Sequence, residues 1–200
     1  MNGPAKLDPD HFGPRIAALP VRQDPSQYFG TEKKERAMVG MQGERVYRAV
    51  FATEIETVLA PVASPEGRFH HAGQAALYLS ETVEGVGVAL ATYLRPEDPP
   101  RLLVPLEVTC GGLFDARPDG ALEALGLAPG AGAVRWQEDR AAGRRPLSWD
   151  LADAVRATGA DGMLYASRKR PDLTHLVLFR WNAPGAATVT RAGPPLPFAG

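Results

Sequence analysis

Residues 67–94 read GRFHHAGQAALYLSETVEGVGVALATYL, and this segment predicts a turn, a buried strand and a helix in succession. Glycines flank a polar turn at the start of the segment. The run 75–79 that follows is short and apolar, which is typical of a buried strand. Ser80 or Thr82 can then cap a helix that carries the chain to the end of the segment.

This segment brings three kinds of chemical group to one corner of the predicted domain. The turn carries Arg68, and the strand carries Tyr78. Glu81 and Glu84 lie in or beside the first turn of the helix, where a carboxylate also stabilises the helix dipole. A cation, an aromatic ring and two carboxylates at one corner can form a site for a charged ligand. Stabilisation of the helix dipole is the alternative to catalysis for both glutamates.

The rest of the chain predicts further strands, separated by two or three helices. Four more segments have strand composition: 45–51, 101–109, 162–166 and 175–181. Ser148 is predicted to cap a helix that ends at Gly159. Strands that occur singly or in pairs between helices predict an α+β fold. We therefore expect one domain with a mixed or antiparallel sheet flanked by short helices, and not a doubly wound sheet.

Composition divides the chain into three parts. Residues 1–43 are rich in glycine, proline and charged side chains, and they are predicted to form an N-terminal extension. Residues 44–182 hold the predicted strands and helices and are expected to form the domain. Residues 183–200 are rich in proline, glycine and alanine, and they are predicted to form a C-terminal tail on the surface.

Charge and hydropathy argue against several classes of function. The net charge of the 200 residues is −1, so no overall positive field favours direct binding to nucleic acid. No apolar run approaches the roughly 20 residues of a membrane-spanning helix, and the first residues lack the apolar core of a secretion signal. Cys110 is the single cysteine, which excludes an internal disulfide and predicts a buried thiol. We therefore expect a cytoplasmic protein with no membrane partner.

Motifs for metal, phosphate-loop and serine chemistry are absent from the sequence. Neither Cys-x-x-Cys nor His-Glu-x-x-His occurs, and the adjacent His70 and His71 would point to opposite faces of a strand. Gly85-Val-Gly lacks the third glycine and the preceding strand of a dinucleotide-binding loop. Neither Gly-x-Ser-x-Gly nor a credible Ser-His-Asp set is present. We therefore expect no metal site.

Several of these segments, taken in order, resemble a known family. Arg68 follows a glycine, and an apolar strand then ends with Tyr78-Leu before a helix begins. A second block, GADGMLYASR at 159–168, precedes the apolar run 176–179. This ordered set resembles the core of the RES domain, which is named for its arginine, glutamate and serine. The resemblance covers residues 45–181.

The resemblance implies a function as well as a fold. RES proteins are similar to ADP-ribosyltransferases and consume NAD, and they are typically toxins of bacterial toxin–antitoxin pairs. The implied activity is cleavage of the nicotinamide–ribose bond of NAD by phosphorolysis or hydrolysis, with a cognate antitoxin that carries a helix-turn-helix domain. Transfer of ADP-ribose to a protein is the alternative, because the same pocket serves both reactions.

The resemblance also implies roles for four residues, each of which has a structural alternative. Arg68 would pair with the pyrophosphate, although it could instead form a surface ion pair. Tyr78 would stack on the nicotinamide, although it could be a core aromatic residue. Ser167 would fix the ribose or amide, or else serve a turn. Arg48, in the Tyr-Arg pair that opens the family's first strand, would support the pocket, or else be a solvated strand residue.

The catalytic carboxylate is where the sequence departs from the family pattern. The family glutamate lies well inside the helix after the tyrosine strand, and that position here is Ala89. Residues 83–90 contain one acid, Glu84. Glu84 or Glu81 could serve from the helix start in a divergent subfamily. Alternatively, the chain is an inactive module that binds NAD or a partner, or its glutamate has been replaced in a way that tames a toxin.

The run Arg168-Lys-Arg is the densest cationic segment of the chain. A solvated turn is the first interpretation of such a run. Two functional alternatives are phosphate binding at the rim of the pocket and docking to an acidic surface of an antitoxin.

Overall fold

The structure is a computed structural model that describes residues 37–198. Its strands are β1 (Met38–Phe51), β2 (Leu77–Ser80), β3 (Arg101–Asp115), β4 (Gly162–Ala166), β5 (Thr174–Leu178), β6 (Thr188–Arg191) and β7 (Leu196–Phe198). Its α-helices are α1 (Val83–Leu90), α2 (Trp136–Ala141) and α3 (Leu147–Ala157), and 3-10 helices cover Ala52–Thr57, Glu123–Leu125 and Ala131–Ala133. The predicted order of turn, strand and helix in residues 67–94 is confirmed.

The strands form one mixed sheet. Their order is β1-β2-β5-β4-β3-β6, and β7 also pairs with β3. The pair β3–β4 is parallel, whereas the other pairs are antiparallel. Because β1 pairs with both β2 and β3, the path β1-β2-β5-β4-β3 closes on itself. The predicted α+β fold with a mixed sheet is therefore confirmed.

The two faces of the sheet carry separate hydrophobic clusters, and β2 shows how side chains divide between them. Leu77 and Leu79 belong to the cluster enclosed by the strands. Tyr78 points the other way, because successive side chains of a strand alternate between faces. It packs against the second cluster, to which α3 contributes Leu151 and Val155. This alternation places Tyr78 on the side of the sheet that α3 covers.

The two predicted helix caps have different outcomes. Thr82 caps α1, because its hydroxyl accepts a hydrogen bond from the Gly85 N–H at 3.0 Å. The prediction that Ser148 caps α3 is wrong. Pro146 occupies the capping position, since its φ of −66° and ψ of 138° are extended, and the helix begins at the next residue. Ser148 is fully buried inside the first turn of α3.

The sheet is more extensive than the sequence predicted at both ends of the domain. Strand β1 begins at Met38, inside the predicted extension 1–43, and β3 continues to Asp115 because it pairs with β1 along its length. Strands β6 and β7, which the sequence did not predict, lie within the predicted tail 183–200 and pair with β3. The rest of the extension lies outside the described residues, and the domain boundaries remain predictions. Within 37–198, no helix combines the length and apolar character needed to cross a membrane.

Candidate functional site

The turn that carries Arg68 is fixed through Gly67. The Gly67 N–H donates to the His70 carbonyl at 3.0 Å, and the Gly67 carbonyl accepts from the indole N–H of Trp149 at 2.7 Å. A Cβ atom at position 67 would overlap the His70 ring. Glycine is therefore required here by close packing, and α3 holds the turn through Trp149.

The hydroxyl of Tyr78 holds the other side of the same turn. It accepts from the Phe69 N–H at 2.9 Å and lies 2.9 Å from Nδ1 of His70. Nε2 of His70 lies 3.0 Å from the Ser64 carbonyl, so Nε2–H donates there and Nδ1 accepts the Tyr78 proton. Burial raises the pKa of Tyr78 and lowers that of His70, so both groups are neutral at pH 7.

The side chain of Arg68 extends from this turn to lie beside two aromatic rings. Its guanidinium carbon is 5.3 Å from the Phe69 ring centre and 5.7 Å from that of Tyr165. One terminal nitrogen donates to the Gly132 carbonyl at 2.5 Å, while Nε is buried without a partner. Among residues 37–198, no carboxylate forms an ion pair with Arg68. Burial lowers the Arg68 pKa, and the charge of Arg168 acts in the same direction.

A buried serine–histidine pair lies next to Arg68 and was not predicted from the sequence. Ser80 Oγ and His175 Nδ1 are 2.8 Å apart, and both residues are almost fully buried. The His175 ring lies 5.4 Å from that of Tyr165. Burial lowers the pKa of His175 to about 4, and the Arg68 charge contributes to this change. The imidazole is therefore neutral at pH 7.

Ser167 lies near Arg68, but its own contacts belong to a turn. It follows β4 in the sequence, two residues after Tyr165 and directly before Arg168. Both neighbours affect the pKa of Arg68, which Tyr165 raises and Arg168 lowers. Its N–H donates to the Leu173 carbonyl at 2.8 Å, and its hydroxyl accepts from the Arg170 N–H at 3.4 Å. No hydrogen bond joins Ser167 to Arg68 or Tyr78, and its hydroxyl is engaged with the turn.

The structure does not bring Arg48 together with the other predicted site residues. Arg48 donates to the carbonyls of Val58 at 2.5 Å and Ala60 at 2.9 Å, and burial lowers its pKa to about 10. In β1 it lies two residues after Val46 and two before Val50, both of which belong to the enclosed cluster. Because every second residue of a strand lies on the same face, Arg48 shares the face of these two valines. Tyr78 lies on the opposite face of the sheet. The contacts of Arg48 therefore fix the loop after β1.

Glu84 is an exposed residue engaged with an arginine. Its Oε1 lies 2.7 Å from a terminal nitrogen of Arg170, which also pairs with Asp172 at 2.6 Å. These contacts tie the first turn of α1 to the turn after β4. Part of the cationic run 168–170 is therefore engaged within the chain. Glu84 forms no hydrogen bond or ion pair with Arg68 or Tyr78.

Glu81 also faces an arginine and not the predicted ligand-binding groups. Its Oε1 lies 3.9 Å from a terminal nitrogen of Arg117. Arg117 makes two shorter bonds, each 2.8 Å, to the Asp115 carboxylate, and its charge helps hold the Asp115 pKa below the ordinary value. Neither predicted acid is thus presented to Tyr78 in this conformation.

Position 89, where the family glutamate would fall, lies on the site side of α1. A Cβ atom on Gly85 would lie 3.2 Å from the Cβ of Ser80 and 3.6 Å from Cε1 of His175. Residues four apart share one face of a helix, so Ala89 lies one turn beyond Gly85 on that side. Ala89 is exposed. A longer acidic side chain at this position would have room to extend along the site.

A groove of about 370 Å³ adjoins Arg68. Its lining includes Tyr165 and Gly132, both of which contact the Arg68 side chain, together with Ala166 and Arg117. A second groove, of about 430 Å³, is lined by residues such as Pro61 and Trp181. Neither lining includes a predicted site residue, but the first groove is lined by Tyr165 and Gly132, which hold the Arg68 side chain.

Metal and thiol chemistry have little support in the described residues. Within 37–198, no three His, Cys, Asp or Glu side chains are close enough together to hold a metal ion. Cys110 is buried, as predicted, and lies 3.3 Å from an Asp161 oxygen. Burial raises the pKa of this thiol to about 11, which keeps it protonated at pH 7.

The protein is an α+β domain with a mixed sheet that closes on itself and a turn, carrying Arg68, that is held between β2 and α3. Residues 45–199 match the RES domain, so the chain belongs to the RES domain family, as the sequence predicted. No curated protein matches the chain significantly. A chain of the crystal structure of the M. tuberculosis MbcT–MbcA toxin–antitoxin complex is similar, with a TM-score of 0.53 and 17% identity over 84% of this chain and 90% of that chain. This likeness shows a shared fold.

Proposed function

We propose that this protein is the toxin of a toxin–antitoxin pair, and that it binds NAD beside Arg68 and cleaves the nicotinamide–ribose bond. Its membership of the RES domain family supports the class of activity. The likeness in fold to a chain of a toxin–antitoxin complex supports a cognate antitoxin as partner. We expect that antitoxin to carry a helix-turn-helix domain, and both proteins to act in the cytoplasm.

The observation that carries the proposal is the environment of Arg68. Its guanidinium is largely buried, bonds one carbonyl and has no carboxylate partner within residues 37–198. A buried cation in this state favours binding of an anion. A pyrophosphate fits, because guanidinium and phosphate oxygens form paired, charge-assisted hydrogen bonds. The ring of Tyr165, whose centre is 5.7 Å from the guanidinium carbon, offers apolar surface beside that anion, and Tyr78 is the proposed stacking partner of the nicotinamide.

The proposed reaction breaks the bond between nicotinamide N1 and ribose C1′. The electron pair of that bond remains on N1, so nicotinamide leaves as a neutral molecule. Positive charge develops on the ribose, and an oxygen of water or inorganic phosphate then bonds to C1′, releasing a proton when water is the acceptor. A carboxylate near the ribose would stabilise the transition state. Glu84 and Glu81 are the proposed candidates. To reach the ribose, Glu84 would have to leave its ion pair with Arg170, and Glu81 its ion pair with Arg117.

The test is to incubate the purified protein with NAD and to measure free nicotinamide with and without phosphate. Phosphate-dependent release would indicate phosphorolysis, and equal release in both conditions would indicate hydrolysis. ADP-ribose attached to protein would indicate the transferase alternative. No nicotinamide under either condition would contradict the proposed cleavage.

Arg68 variants test where NAD binds. We expect Arg68→Ala to weaken NAD binding by about 1.5–3 kcal/mol, the range for a hydrogen bond to a charged group, or about tenfold to a hundredfold in Kd. Arg68→Lys should recover only part, because it keeps the charge but loses the paired donors. Arg135→Ala is the matched control, since that side chain is 67% exposed and pairs with Glu138. Calorimetric titration that gives equal NAD affinity for Arg68→Ala and wild type would contradict the assignment.

A second candidate function is an inactive module that binds NAD or a partner. It is favoured by Ala89 and by the ion pairs that occupy Glu84 and Glu81. Under this alternative the chain binds NAD but releases no nicotinamide. Ala89→Glu distinguishes the two, because a carboxylate restored on the site side of α1 should then raise nicotinamide release and make expression toxic to cells.

A further inference from the structure

The Ser80–His175 pair has no role in the function proposed above. The two residues lie directly opposite each other in the antiparallel pair β2–β5. Their side chains meet at 2.8 Å, and they are 4% and 3% exposed, respectively. A hydrogen bond between two polar side chains this deeply buried has a defined geometry, because both residues are held by the strands.

The surroundings of the pair belong to the candidate site. The His175 ring packs against that of Tyr165, on which the Arg68 guanidinium lies. The helix α1 packs closely on the pair at Gly85, since a Cβ atom at that position would lie 3.2 Å from the Cβ of Ser80 and 3.6 Å from Cε1 of His175. His175 therefore stands between the Arg68 side chain and the helix that carries the predicted acids. A ligand bound by Arg68 would have this histidine as a neighbour.

The hydrogen bond between Ser80 and His175 determines which ring nitrogen of His175 carries the proton. Ser80 Oγ has one hydrogen-bond partner within residues 37–198, namely Nδ1 of His175. If Nδ1 carried the proton, the serine O–H would be buried without an acceptor, at a cost of about 1–3 kcal/mol. Ser80 therefore donates to Nδ1, and the neutral ring carries its proton on Nε2. The burial and the Arg68 charge that lower the His175 pKa to about 4 keep the ring in this neutral form.

We propose that His175, oriented by Ser80, is a further binding residue that donates its Nε2–H to a phosphate oxygen of the ligand held by Arg68. This inference rests on the proposed function, because it assigns a second contact to the same pyrophosphate. A neutral donor beside an arginine suits an anion, since it adds a hydrogen bond without the repulsion of a second cation. The resemblance to the RES domain implies no role for either residue of the pair.

Two substitutions of His175 separate ligand binding from structure. His175→Asn places an amide near the position of Nδ1, where it can still bond Ser80, but it offers no donor at the Nε2 position. His175→Gln reaches the Nε2 position but loses the bond to Ser80. ADP-ribose is the probe, because it carries the pyrophosphate and has no nicotinamide bond to cleave. Adenosine, which has no phosphate, is the ligand control.

We expect His175→Asn to weaken ADP-ribose binding by about tenfold while His175→Gln retains more of the affinity. The urea midpoint should show the opposite order, with His175→Gln the less stable protein. Adenosine binding should be the same in all variants. An affinity for ADP-ribose that follows the urea midpoints, with His175→Asn close to wild type, would overturn the inference and leave the pair as a structural bond. Failure of the wild-type protein to bind ADP-ribose would contradict the proposed function itself, and this inference with it.

Discussion

The two walls of the candidate site are held in place by different kinds of interaction. The arginine wall consists of the turn 67–70 with Tyr78 and Trp149. Its bonds are buried or half-buried and join the turn to β2 and α3. The helix wall consists of α1 with Glu84, the preceding Glu81, and the arginines that these two glutamates face. Those contacts are exposed ion pairs between Glu84 and Arg170 and between Glu81 and Arg117.

This difference determines how well each wall is positioned. Removing one partner of a buried hydrogen bond costs about 1–3 kcal/mol, because the remaining polar group has neither a protein partner nor water to bond. An exposed ion pair contributes little, because water and salt screen the charges and two long side chains must be ordered. The arginine wall therefore fixes the position of Arg68. The helix wall leaves its carboxylates free to exchange partners, which a reaction that recruits one of them would require.

Gly67→Ala should give the largest change in stability, because it acts on the arginine wall. The added methyl group would overlap the His70 ring, which is held by hydrogen bonds at both nitrogens. We expect a loss of about 3 kcal/mol in the free energy of unfolding, at the upper end for overpacking. Urea denaturation measures it. Gly87→Ala on α1 is the matched control, since a Cβ there meets no atom within 4 Å and alanine should stabilise the helix by about 0.5–1 kcal/mol. Equal midpoints for the two variants would contradict the rigid arginine wall.

Two buried neutral histidines, His70 in the arginine wall and His175 in β5, give the stability a pH dependence. The His175 pKa is lowered from 6.5 to about 4, and burial lowers the His70 pKa in the same direction. The unfolded chain takes up these protons below its ordinary pKa, whereas the folded chain resists, so stability is complete above that pKa and is lost as pH falls toward 4. The His175 contribution is at most about 3 kcal/mol.

Urea midpoints at about pH 7.5 and about pH 4.5 measure this loss, and the carboxylates with lowered pKa values contribute mainly below that window. His175→Asn and His70→Asn should each remove part of the dependence. A wild-type midpoint that does not fall between the two pH values would contradict the assignment of both histidines as buried and neutral.

Trp149→Phe should have a smaller effect, because it removes one hydrogen bond from the arginine wall and keeps most of the ring. The Gly67 carbonyl would lose its donor, with an expected loss of about 1–3 kcal/mol. Trp181→Phe is the matched control, since its indole N–H donates to the Leu59 carbonyl at 2.8 Å in a comparable way. Both variants should lose stability, but only Trp149→Phe should also weaken NAD binding. Equal NAD affinity in the two variants would show that α3 does not position Arg68.

The same comparison explains what the sequence could predict. The order of turn, strand and helix in residues 67–94 is predictable because its signals are local: a glycine-bounded turn, an apolar run and a helix cap. The proximity of Arg68 and Tyr78 follows from that local order. The pair of Ser80 with His175 could not be predicted in this way, since the two residues are 95 positions apart and meet only through the register of β2 and β5.

What the sequence does not predict has the same physical origin. Trp149 reaches the turn from 82 positions away, so no local pattern marks it as part of the arginine wall. Strands β6 and β7 are short and lie in a segment rich in proline and glycine, and their partner β3 supplies the order that their composition does not. Arg48 was grouped with Arg68 by resemblance, whereas alternation along β1 places it on the other face of the sheet.

The smallest change in stability is expected for Glu84→Gln on the helix wall. The ion pair with Arg170 is exposed, and Arg170 keeps a second partner in Asp172, so the urea midpoint should not change measurably. Nicotinamide release then reports on chemistry alone. If Glu84 stabilises the transition state, release should fall by orders of magnitude while NAD affinity changes little, because glutamine keeps the size but not the charge. Glu81→Gln tests the other acid in the same way. Full nicotinamide release by the double variant would exclude both glutamates as the catalytic carboxylate.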